Sequence, residues 1–445
     1  MTKVARPLRV AIVAANTFEH DSRLLRTARA LAGDGHVVTV LAFQAPGLPT
    51  RESVGDRIDL RRLPVDRRVA SAFRPLPERA WPLLARVLGF EPAATSLPPA
   101  APRIVDRPRA LLRRLVEIVA HQRRVGPWSD AVVAAVPDAD VYHCKALVAL
   151  PVVAAAAERA GSRFVYDLAD LHTEAARLAR MPGFVRSLVR RREARWVHRA
   201  ALLTAVSDGV ASEAARRFHV GRPVVVLNCP MAWRPEDPGV RRSDLLRRAT
   251  GVDPERPIVL YQGGFSVDRG IEELIAALDR EPLRTLDAAV VLLGYGRLLD
   301  RLRAEAARRP GRLFVLDAVP PAELLQWTAS ADLGYVGQPA RTLNQRLNLA
   351  NKLFESMMAG VPVLVAEGTE HCRLVSAEAV GVCAAIEPDA IARAAGAVLG
   401  RPFEEREALR DHCRTVALER YTWERQQGAL VAAYRRLAAG GRAES

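Results

Sequence analysis

The chain has 445 residues, of which 65 are basic and 50 are acidic, so its formal net charge is +15. Hydrophobic residues make up 49% and charged residues 26%, a globular balance that excludes an intrinsically disordered chain. Because a single hydrophobic core stops growing at about 250–300 residues, the length predicts two domains. The basic excess is almost all arginine, which is typical of a codon bias and by itself indicates no class of partner.

The cysteines and the apolar runs indicate the compartment. The five cysteines are odd in number and form no CxxC pair, which excludes a disulfide scaffold and a zinc ribbon and fits a reducing cytosol. They are Cys144, Cys229, Cys372, Cys383 and Cys413. No apolar stretch approaches the roughly 18 residues of a spanning helix, and no cleavage pattern follows the short apolar run near the N-terminus. We therefore expect a cytoplasmic protein without a signal peptide.

The first half of the chain alternates strand and helix patterns. Residues 8–14 are predicted to form a buried strand, followed by a helix that Asp21 or Ser22 caps and that Gly33 and Gly35 end. Further strands are predicted at 36–41, 139–143, 163–167, 202–206 and 223–227. This alternation is typical of a parallel sheet that is covered by helices on both faces.

The second half repeats the pattern after a proline-rich connection. A strand at 257–262 precedes a predicted Gly263-Gly264 turn and a helix over 271–278, and more strands are predicted at 289–293, 313–316, 332–336 and 362–366. We therefore predict an α/β fold of two similar domains, 1–235 and 236–420, with a closing segment at 421–445. A proline-rich, basic insertion at about 66–130 interrupts the first domain.

Glycines follow two strands of the second half, where ligands bind in open α/β sheets. Gly263 and Gly264 allow a ligand close to the backbone, and Arg269 stands at the start of the next helix, where a phosphate would bind. Gly294 and Gly296 repeat the pattern, but the third glycine of a dinucleotide motif is missing, which disfavours NAD. A plain tight turn with a solvated arginine is the structural alternative.

The segment NQRLNLANKLFESMMAGVPVLVAE (344–367) carries the sharpest pattern. A polar loop leads into a short helix from about Asn351, which Gly360 ends before a buried strand. Lys352 and Glu355 are three residues apart, on one side of the first turn. They form either a surface ion pair or a nucleotide site in which the carboxylate binds the ribose and the lysine binds phosphates. The segment alone leaves both interpretations open.

Several motifs, taken in order, resemble those of retaining glycosyltransferase family 4, whose GT-B enzymes use nucleotide-activated sugars. In the second half they are GG-x4-RG (263–270), LLGYG, VPPAELLQWTASADLGYV (319–336) and NLANKLFESMMAGVPVL. In the first half they are HDSRLLRTARALAGDGHVVTVL (20–41), DVYHCKAL (140–147), FVYDLAD (164–170) and TAVSDGVASEAARRF (204–218). The tail RYTWERQ (420–426) resembles the closing helix of the family. The resemblance implies two Rossmann-like domains facing a cleft, with the C-terminal helix crossing back to the first domain.

The resemblance also implies the donor site. Glu355 matches the glutamate that binds the donor ribose, and Arg269 matches the basic residue that neutralises the diphosphate, with Lys352 beside it. The first acid of the family's glutamate pair is replaced by Leu347, so donor contacts are expected to pass to asparagines of this loop. The remaining expected donor-binding residues are Gly263, Gly264, Gly294, Asn344, Asn348 and Asn351. No metal and no cofactor is expected, since the nucleotide sugar is a substrate.

The first domain departs from the family pattern. Where the family has a second histidine and an acid, this chain has Lys145 and Ala146 after His143, and the later Tyr-Asp motif continues to Asp170 and His172. The expected catalytic residues are Arg269, Lys352, His143, Lys145, Asp170 and His172. A hydrogen-bonded structural role is the alternative for either histidine.

Basic and apolar residues are interleaved in two segments. Residues 101–126 contain seven arginines and two acids, and residues 177–199 contain eight arginines and one acid. Such helices suit an anionic membrane, so we expect peripheral contact with the inner face of the cell membrane, solvated arginines being the alternative. The expected acceptor is a glycan, a lipid-linked sugar or a small molecule, as in envelope polysaccharide, glycolipid or natural-product glycosylation.

Two other functions are alternatives to a retaining hexosyltransferase. One is a nucleotide-sugar epimerase of the same GT-B architecture, whose paired catalytic carboxylates are not evident here. The other is a catalytically degenerate basic protein that binds a membrane or nucleic acid. Nucleic acid is not an expected partner, because the 5% aromatic content shows no stacking motif and no helix-turn-helix or zinc pattern occurs.

Overall fold

The structure is a computed structural model that describes residues 6–19, 21–64, 125–236 and 243–440, apart from the side chains of residues 176 and 177. Almost all of the predicted insertion at 66–130, with the basic segment 101–126, lies outside these residues. Within the described part of the chain, every helix falls short of the length and apolarity that a membrane span requires.

The strands of the described chain form two sheets. They are β1 (Arg9–Val13), β2 (Val37–Phe43), β3 (Arg51–Gly55), β4 (Ile58–Leu63), β5 (Val141–Cys144), β6 (Arg163–Leu168), β7 (Leu202–Ala205), β8 (Val224–Val225), β9 (Ile258–Phe265), β10 (Ala289–Gly296), β11 (Leu313–Asp317), β12 (Leu333–Val336), β13 (Val363–Ala366) and β14 (Gly381–Ala384).

The helices connect these strands and close the chain. In order they are Ser22–Gly33, a helix described over 125–135, Leu150–Ala160, a 3₁₀ turn at His172–Glu174, Ala176–Ala179, Gly183–Val197, Asp208–Phe218, Leu245–Thr250, Ile271–Ala277, Leu299–Ala307, Leu324–Thr328, Leu343–Leu347, Asn351–Met358, Glu370–Glu378, Pro388–Leu399, Phe403–Arg420 and Trp423–Ala438. The predicted α/β alternation is confirmed.

The first sheet has the strand order β3-β4-β2-β1-β5-β6-β7-β8. Its central strand β1 pairs in parallel with β2 and with β5, and its apolar residues are buried. Strands β3 and β4 form an antiparallel pair that the sequence patterns did not predict. They were missed because both contain several charged residues, and β3 at the edge of the sheet buries none of its residues fully.

The second sheet has the order β11-β10-β9-β12-β13-β14 and is parallel throughout its pairs. Alternate residues of β9 pack into different cores, Val259 and Tyr261 into one, Ile258 and Leu260 into the other. The edge strand β14 was not predicted. Both faces of this sheet are therefore covered, as expected for parallel strands.

The glycines after two strands are placed differently from the prediction. Gly263 and Gly264 continue β9 instead of forming a turn, and Gly294 and Gly296 continue β10. Gly294 pairs with Gly263, and a Cβ on Gly294 would lie 2.0 Å from the Gly263 carbonyl oxygen. The glycines thus let the two strands run side by side to their carboxyl ends, where a side chain would separate them.

The described chain divides into two compact units. The first runs to Tyr166 and includes Arg180–Leu202, and the second comprises Asp167–Ala179 and the chain from Leu203 onward. The domain limits at 235 and 420 stay predictions.

The last helix, Trp423–Ala438, packs beside the chain that follows β8 in the second unit. The backbone N–H of Trp423 donates to the carbonyl of Pro230 at 2.7 Å, and the Glu424 carboxylate accepts from the N–H of Ala232 at 3.1 Å. These contacts bring the chain end back to the edge strand of the first sheet, as expected of a closing helix.

One cysteine pair differs from the expectation of a reducing compartment. Cys372 and Cys383 form a disulfide, whereas Cys144, Cys229 and Cys413 are buried and unbridged. A single bridge is not a scaffold, so that exclusion stands. The pair was missed because its cysteines, 11 residues apart, meet only when the helix that carries Cys372 packs beside β14, which carries Cys383.

Candidate functional site

The Glu355 carboxylate is held by two amide side chains. Glu355 lies on the helix Asn351–Met358 and is only 8% exposed. Its Oε1 accepts from Asn351 Nδ2 at 2.9 Å, and its Oε2 accepts from Gln262 Nε2 at 2.9 Å. The Gln262 Oε1 in turn lies 2.6 Å from the hydroxyl of Thr328. The carboxylate is therefore fixed between its own helix and the end of β9.

Lys352 places a second ionisable group at this strand end. Its Nζ lies 4.0 Å from the centroid of the Tyr261 ring, and a Cβ on Gly263 would be 3.7 Å from that nitrogen. The pKa of Lys352 is lowered to about 7, first by burial and then by the positive charge of Arg269, while Glu355 opposes the shift. An anion bound here would favour the charged form of the lysine.

Arg269 is held at the start of the helix Ile271–Ala277. Its Nη1 donates to Gln338 Oε1 at 2.8 Å. Gly270 between Arg269 and the helix has φ +67°, and a Cβ there would lie 2.3 Å from the Gly337 carbonyl oxygen. The positive charges of Lys352 and Arg269 thus repel each other, and an anion bound beside them would compensate this repulsion.

His371 anchors the entry to the Glu355 helix. The imidazole is buried, and its Nε2 accepts from the backbone N–H of Ala350 at 2.9 Å. Burial, followed by the charges of Lys352 and Arg269, lowers the pKa of His371 to about 3. The ring is therefore neutral at physiological pH and acts as a hydrogen-bond acceptor.

The asparagines predicted to contact the donor hold another loop. Asn344 Nδ2 donates to Asp170 Oδ1 at 2.8 Å, and Asn344 Oδ1 accepts from the Leu171 N–H at 2.7 Å. Asn348 Nδ2 approaches the same carboxylate oxygen at 3.4 Å. These contacts fasten Asp170 to the loop before the Glu355 helix, and a role of either asparagine in donor binding stays a prediction.

His172 begins the 3₁₀ turn that follows Asp170. Within the described residues, its buried Nε2 has no hydrogen-bond partner. The next residue, Thr173, accepts from Arg217 Nη1 at 3.0 Å, which ties the turn to the helix Asp208–Phe218. The catalytic roles of Asp170 and His172 stay predictions.

His143 and Lys145 lie in the first unit. His143 is buried on β5, and the Lys145 Nζ contacts Asp21 Oδ1 at 2.5 Å. The same Asp21 oxygen accepts from the Leu24 N–H at 3.2 Å and caps the first helix, as predicted. The lysine thus belongs to an ion pair at a helix start, and its catalytic role stays a prediction.

The second unit therefore joins Glu355, Lys352 and Arg269 beside the glycines of β9 and β10. Sequence reasoning missed Gln262, Gln338 and His371, although Gln262 lies near the carboxyl end of β9, Gln338 just beyond β12 and His371 in the helix that follows β13. That position was the available signal. Among the described residues, no group of three or more His, Cys, Asp or Glu side chains is arranged to hold a metal ion.

Comparison with known proteins identifies this part of the chain. Residues 256–401 match the family described as Glycosyl transferases group 1. The matched segment contains Arg269, Lys352 and Glu355.

Two mycobacterial proteins are similar to the chain over less than half of their length. A GDP-mannose-dependent alpha-(1-6)-phosphatidylinositol dimannoside mannosyltransferase of Mycobacterium tuberculosis is 29% identical over 181 residues, 40% of this chain and 44% of that protein. An alpha-maltose-1-phosphate synthase of Mycolicibacterium smegmatis is 26% identical over 198 residues, 39% of this chain and 49% of that protein.

Solved structures extend the likeness over nearly the whole chain. Sucrose-phosphate synthase from Thermosynechococcus elongatus has a TM-score of 0.70 at 15% identity, with 98% of this chain and 100% of that chain covered. Anabaena HepE in complex with UDP-glucose has a TM-score of 0.61 at 16% identity, covering 97% and 100%. The chain therefore has the GT-B fold, as predicted, and the rival functions gain no support.

Proposed function

We propose that the chain transfers a hexosyl group from a nucleotide sugar to an acceptor hydroxyl, with retention of the anomeric configuration. The observation that carries the proposal is the juxtaposition of one buried carboxylate, Glu355, with the two cations Lys352 and Arg269 at glycine-lined strand ends. A nucleoside diphosphate offers a ribose diol and two phosphates, which match these groups in chemistry.

Each group has a distinct part in donor binding. The Glu355 carboxylate accepts hydrogen bonds from ribose hydroxyls, and charge-assisted bonds of this kind are roughly twice as strong as neutral ones. Lys352 and Arg269 bind the diphosphate, which comes close to the backbone at Gly263, where a side chain would approach the lysine. Binding therefore couples ribose recognition to charge neutralisation.

The same cations serve the transfer step. The bond between the anomeric carbon and the diphosphate oxygen breaks, and negative charge grows on the leaving diphosphate, where Arg269 and Lys352 stabilise it. The acceptor hydroxyl attacks from the face that the diphosphate leaves and gives its proton to a phosphate oxygen, so the configuration is retained. Asp170, His172, His143 and Lys145 stay candidates for orienting the acceptor.

GDP-mannose is the donor to examine first, because a mycobacterial relative of this domain is named for its dependence on GDP-mannose. The test is calorimetric titration with GDP-mannose, UDP-glucose, ADP-glucose and dTDP-glucose, followed by assays for sugar transfer and for the anomeric configuration of the product. Glu355→Ala should weaken binding of the preferred donor about 10- to 150-fold, or about 1.5–3 kcal/mol. Glu405→Ala, which removes an exposed carboxylate, is the matched control. Absence of binding by all four donors, or undiminished binding by Glu355→Ala, would refute the proposal.

We further propose that the helix Gly183–Val197 contacts an anionic membrane surface. Phe184 and Leu188, one turn apart, are 67% and 52% exposed, and five arginines lie on the same helix. Its acid, Glu193, is buried and accepts from the Tyr166 hydroxyl at 3.0 Å. The helix therefore presents apolar side chains and positive charge outward, a combination suited to anionic lipid headgroups.

Vesicle flotation tests this second proposal. The wild type should float with vesicles containing phosphatidylglycerol and stay behind with neutral phosphatidylcholine, and the double variant Phe184→Ser, Leu188→Ser should lose most of that binding. Phe403→Ser, which changes another exposed phenylalanine, should retain it. Equal flotation of the wild type with both kinds of vesicle would contradict the proposed contact.

A further inference from the structure

Two buried polar side chains, those of Gln262 and Thr328, are hydrogen-bonded in series to the Glu355 carboxylate. Gln262 is 4% exposed and Thr328 is fully buried. The amide of Gln262 contacts Glu355 Oε2 with its nitrogen at 2.9 Å and the Thr328 hydroxyl with its oxygen at 2.6 Å. Burying a polar side chain costs free energy unless the side chain is hydrogen-bonded. Here both the nitrogen and the oxygen of the Gln262 amide have hydrogen-bond partners.

The negative charge of Glu355 determines which atoms of Gln262 and Thr328 donate a hydrogen bond and which accept one. A carboxylate only accepts hydrogen bonds, so the NH₂ group of Gln262 must face it and the amide oxygen must face Thr328. The Thr328 hydroxyl also lies 2.7 Å from the Leu324 carbonyl oxygen, and its single proton can serve only one of the two acceptors. Donation to Gln262 satisfies the amide oxygen, which then keeps the amide nitrogen directed at the carboxylate.

Gln262 holds the Glu355 carboxylate to the second sheet, whereas the amide of Asn351 does not. Asn351, which holds the second oxygen of Glu355, is on the same helix as Glu355 and moves with it. Gln262 belongs to β9, on the strand that continues into Gly263. Without it, the attraction between Glu355 and Lys352 would be left to draw the carboxylate toward the ammonium group.

We propose that Gln262, oriented by Thr328, is a positioning residue that holds the Glu355 carboxylate in place for the ribose hydroxyls of the donor. The inference rests on the proposed function, because that function supplies the ribose. Gln262 then contributes to the binding affinity of a nucleotide only when that nucleotide carries the ribose hydroxyl. A purely structural glutamine would affect all nucleotides alike.

The test compares nucleotides that differ by one ribose hydroxyl. GDP is titrated against 2′-deoxy-GDP, and UDP against 2′-deoxy-UDP, and the pair that the wild type binds more tightly is used for the variants. A hydrogen bond to a charged group predicts that the wild type prefers the ribonucleotide about tenfold or more. Gln262→Leu, which keeps the volume but loses the donor, should reduce that preference to less than about threefold, mainly by weakening the ribonucleotide.

The variants at Thr328 and Gln338 distinguish a positioning role of Gln262 from a general loss of nucleotide binding. Thr328→Val should lower the ribose preference, whereas Thr328→Ser, which keeps the hydroxyl, should restore it. Gln338→Leu, which removes the partner of Arg269, should weaken both nucleotides by the same factor and leave the ratio unchanged. If Gln262→Leu does not fold, the comparison of Thr328→Val with Thr328→Ser decides the matter.

Two outcomes overturn different claims. An unchanged ribose preference in Gln262→Leu, or in Thr328→Val when the first variant does not fold, refutes the positioning role while nucleotide binding stands. Failure of the wild type to bind either ribonucleotide overturns the inference, whereas the proposed function falls only if none of the four nucleotide sugars binds.

Discussion

Lys352 is expected to make donor binding depend on pH. Burial, followed by repulsion from Arg269, lowers the pKa of Lys352 from 10.5 to about 7 in the unliganded protein. The diphosphate favours the charged lysine, so binding above pH 7 must take up a proton. The charged fraction falls from about 0.9 at pH 6 to about 0.01 at pH 9, so donor affinity should fall about 100-fold over this range.

Isothermal titration of GDP-mannose, or of another donor that binds, measures both quantities. At pH 8 the wild type should take up about 0.9 proton per donor, read from titrations in two buffers with different ionisation enthalpies. The diphosphate diester of a nucleotide sugar has no proton to exchange in this range, which assigns the uptake to the protein. Lys352→Arg should bind without pH dependence between pH 6 and pH 9, because its guanidinium stays charged. Constant wild-type affinity over this range, with no proton uptake, would refute the reasoning.

The same shift in the pKa of Lys352 has the opposite consequence for folding stability. The unfolded chain keeps the lysine protonated up to its ordinary pKa of 10.5, while the folded protein loses the proton above about 7. Unfolding therefore takes up a proton between these values, and the free energy of unfolding should rise with pH by about 1.4 kcal/mol per unit from this group. Urea denaturation from pH 7 to pH 10, compared with Lys352→Met, isolates the contribution.

Other predictions concern the backbone, the cations and the first helix. Gly270→Ala should lower the free energy of unfolding by about 2–4 kcal/mol in urea denaturation, because its φ is positive and its Cβ would meet a carbonyl oxygen, whereas Gly264→Ala, with open space around its Cβ, should not. Arg269→Ala should lower kcat about 100-fold, and more than His172→Ala does, because leaving-group charge grows toward the transition state. Asp21→Ala should cost about 1 kcal/mol or more in thermal unfolding through loss of its helix cap and of its ion pair with Lys145, and Asp21→Asn, which keeps only the cap, should recover part of it.

The local patterns of the sequence predicted where several residues of the proposed donor site lie. The i, i+3 spacing of Lys352 and Glu355 placed both on one helix, and the glycine pair was correctly placed after an apolar strand segment, although it continues β9 instead of forming a turn. Arg269 was correctly placed before the next helix. These features depend on residues within one element or at its end, where periodicity and turn chemistry are informative.

The partners of those residues were beyond the reach of such patterns. Gln262 and Glu355 are 93 residues apart, and Asn344 and Asp170 are 174 residues apart. Spacing along the chain carries no information on pairs of this kind, because only the packing of different elements brings them together. The asparagines are the clearest case, since Asn344 was assigned to the donor and holds Asp170 and the backbone after it.

The sequence by itself determined the α/β alternation, most of the buried strands, a cap at Asp21 or Ser22 and the helix that carries Lys352 and Glu355, because apolar periodicity and capping act within a few residues. Tertiary structure alone decided that β9 and β10 continue through their glycines and that Gln262 and Thr328 stand behind the carboxylate. It also decided the electrostatics of the site, since the pKa of Lys352 depends on burial and on Arg269, which is far from Lys352 along the chain. Desolvation and charge coupling are properties of an assembled site, and they exist only once the elements have packed.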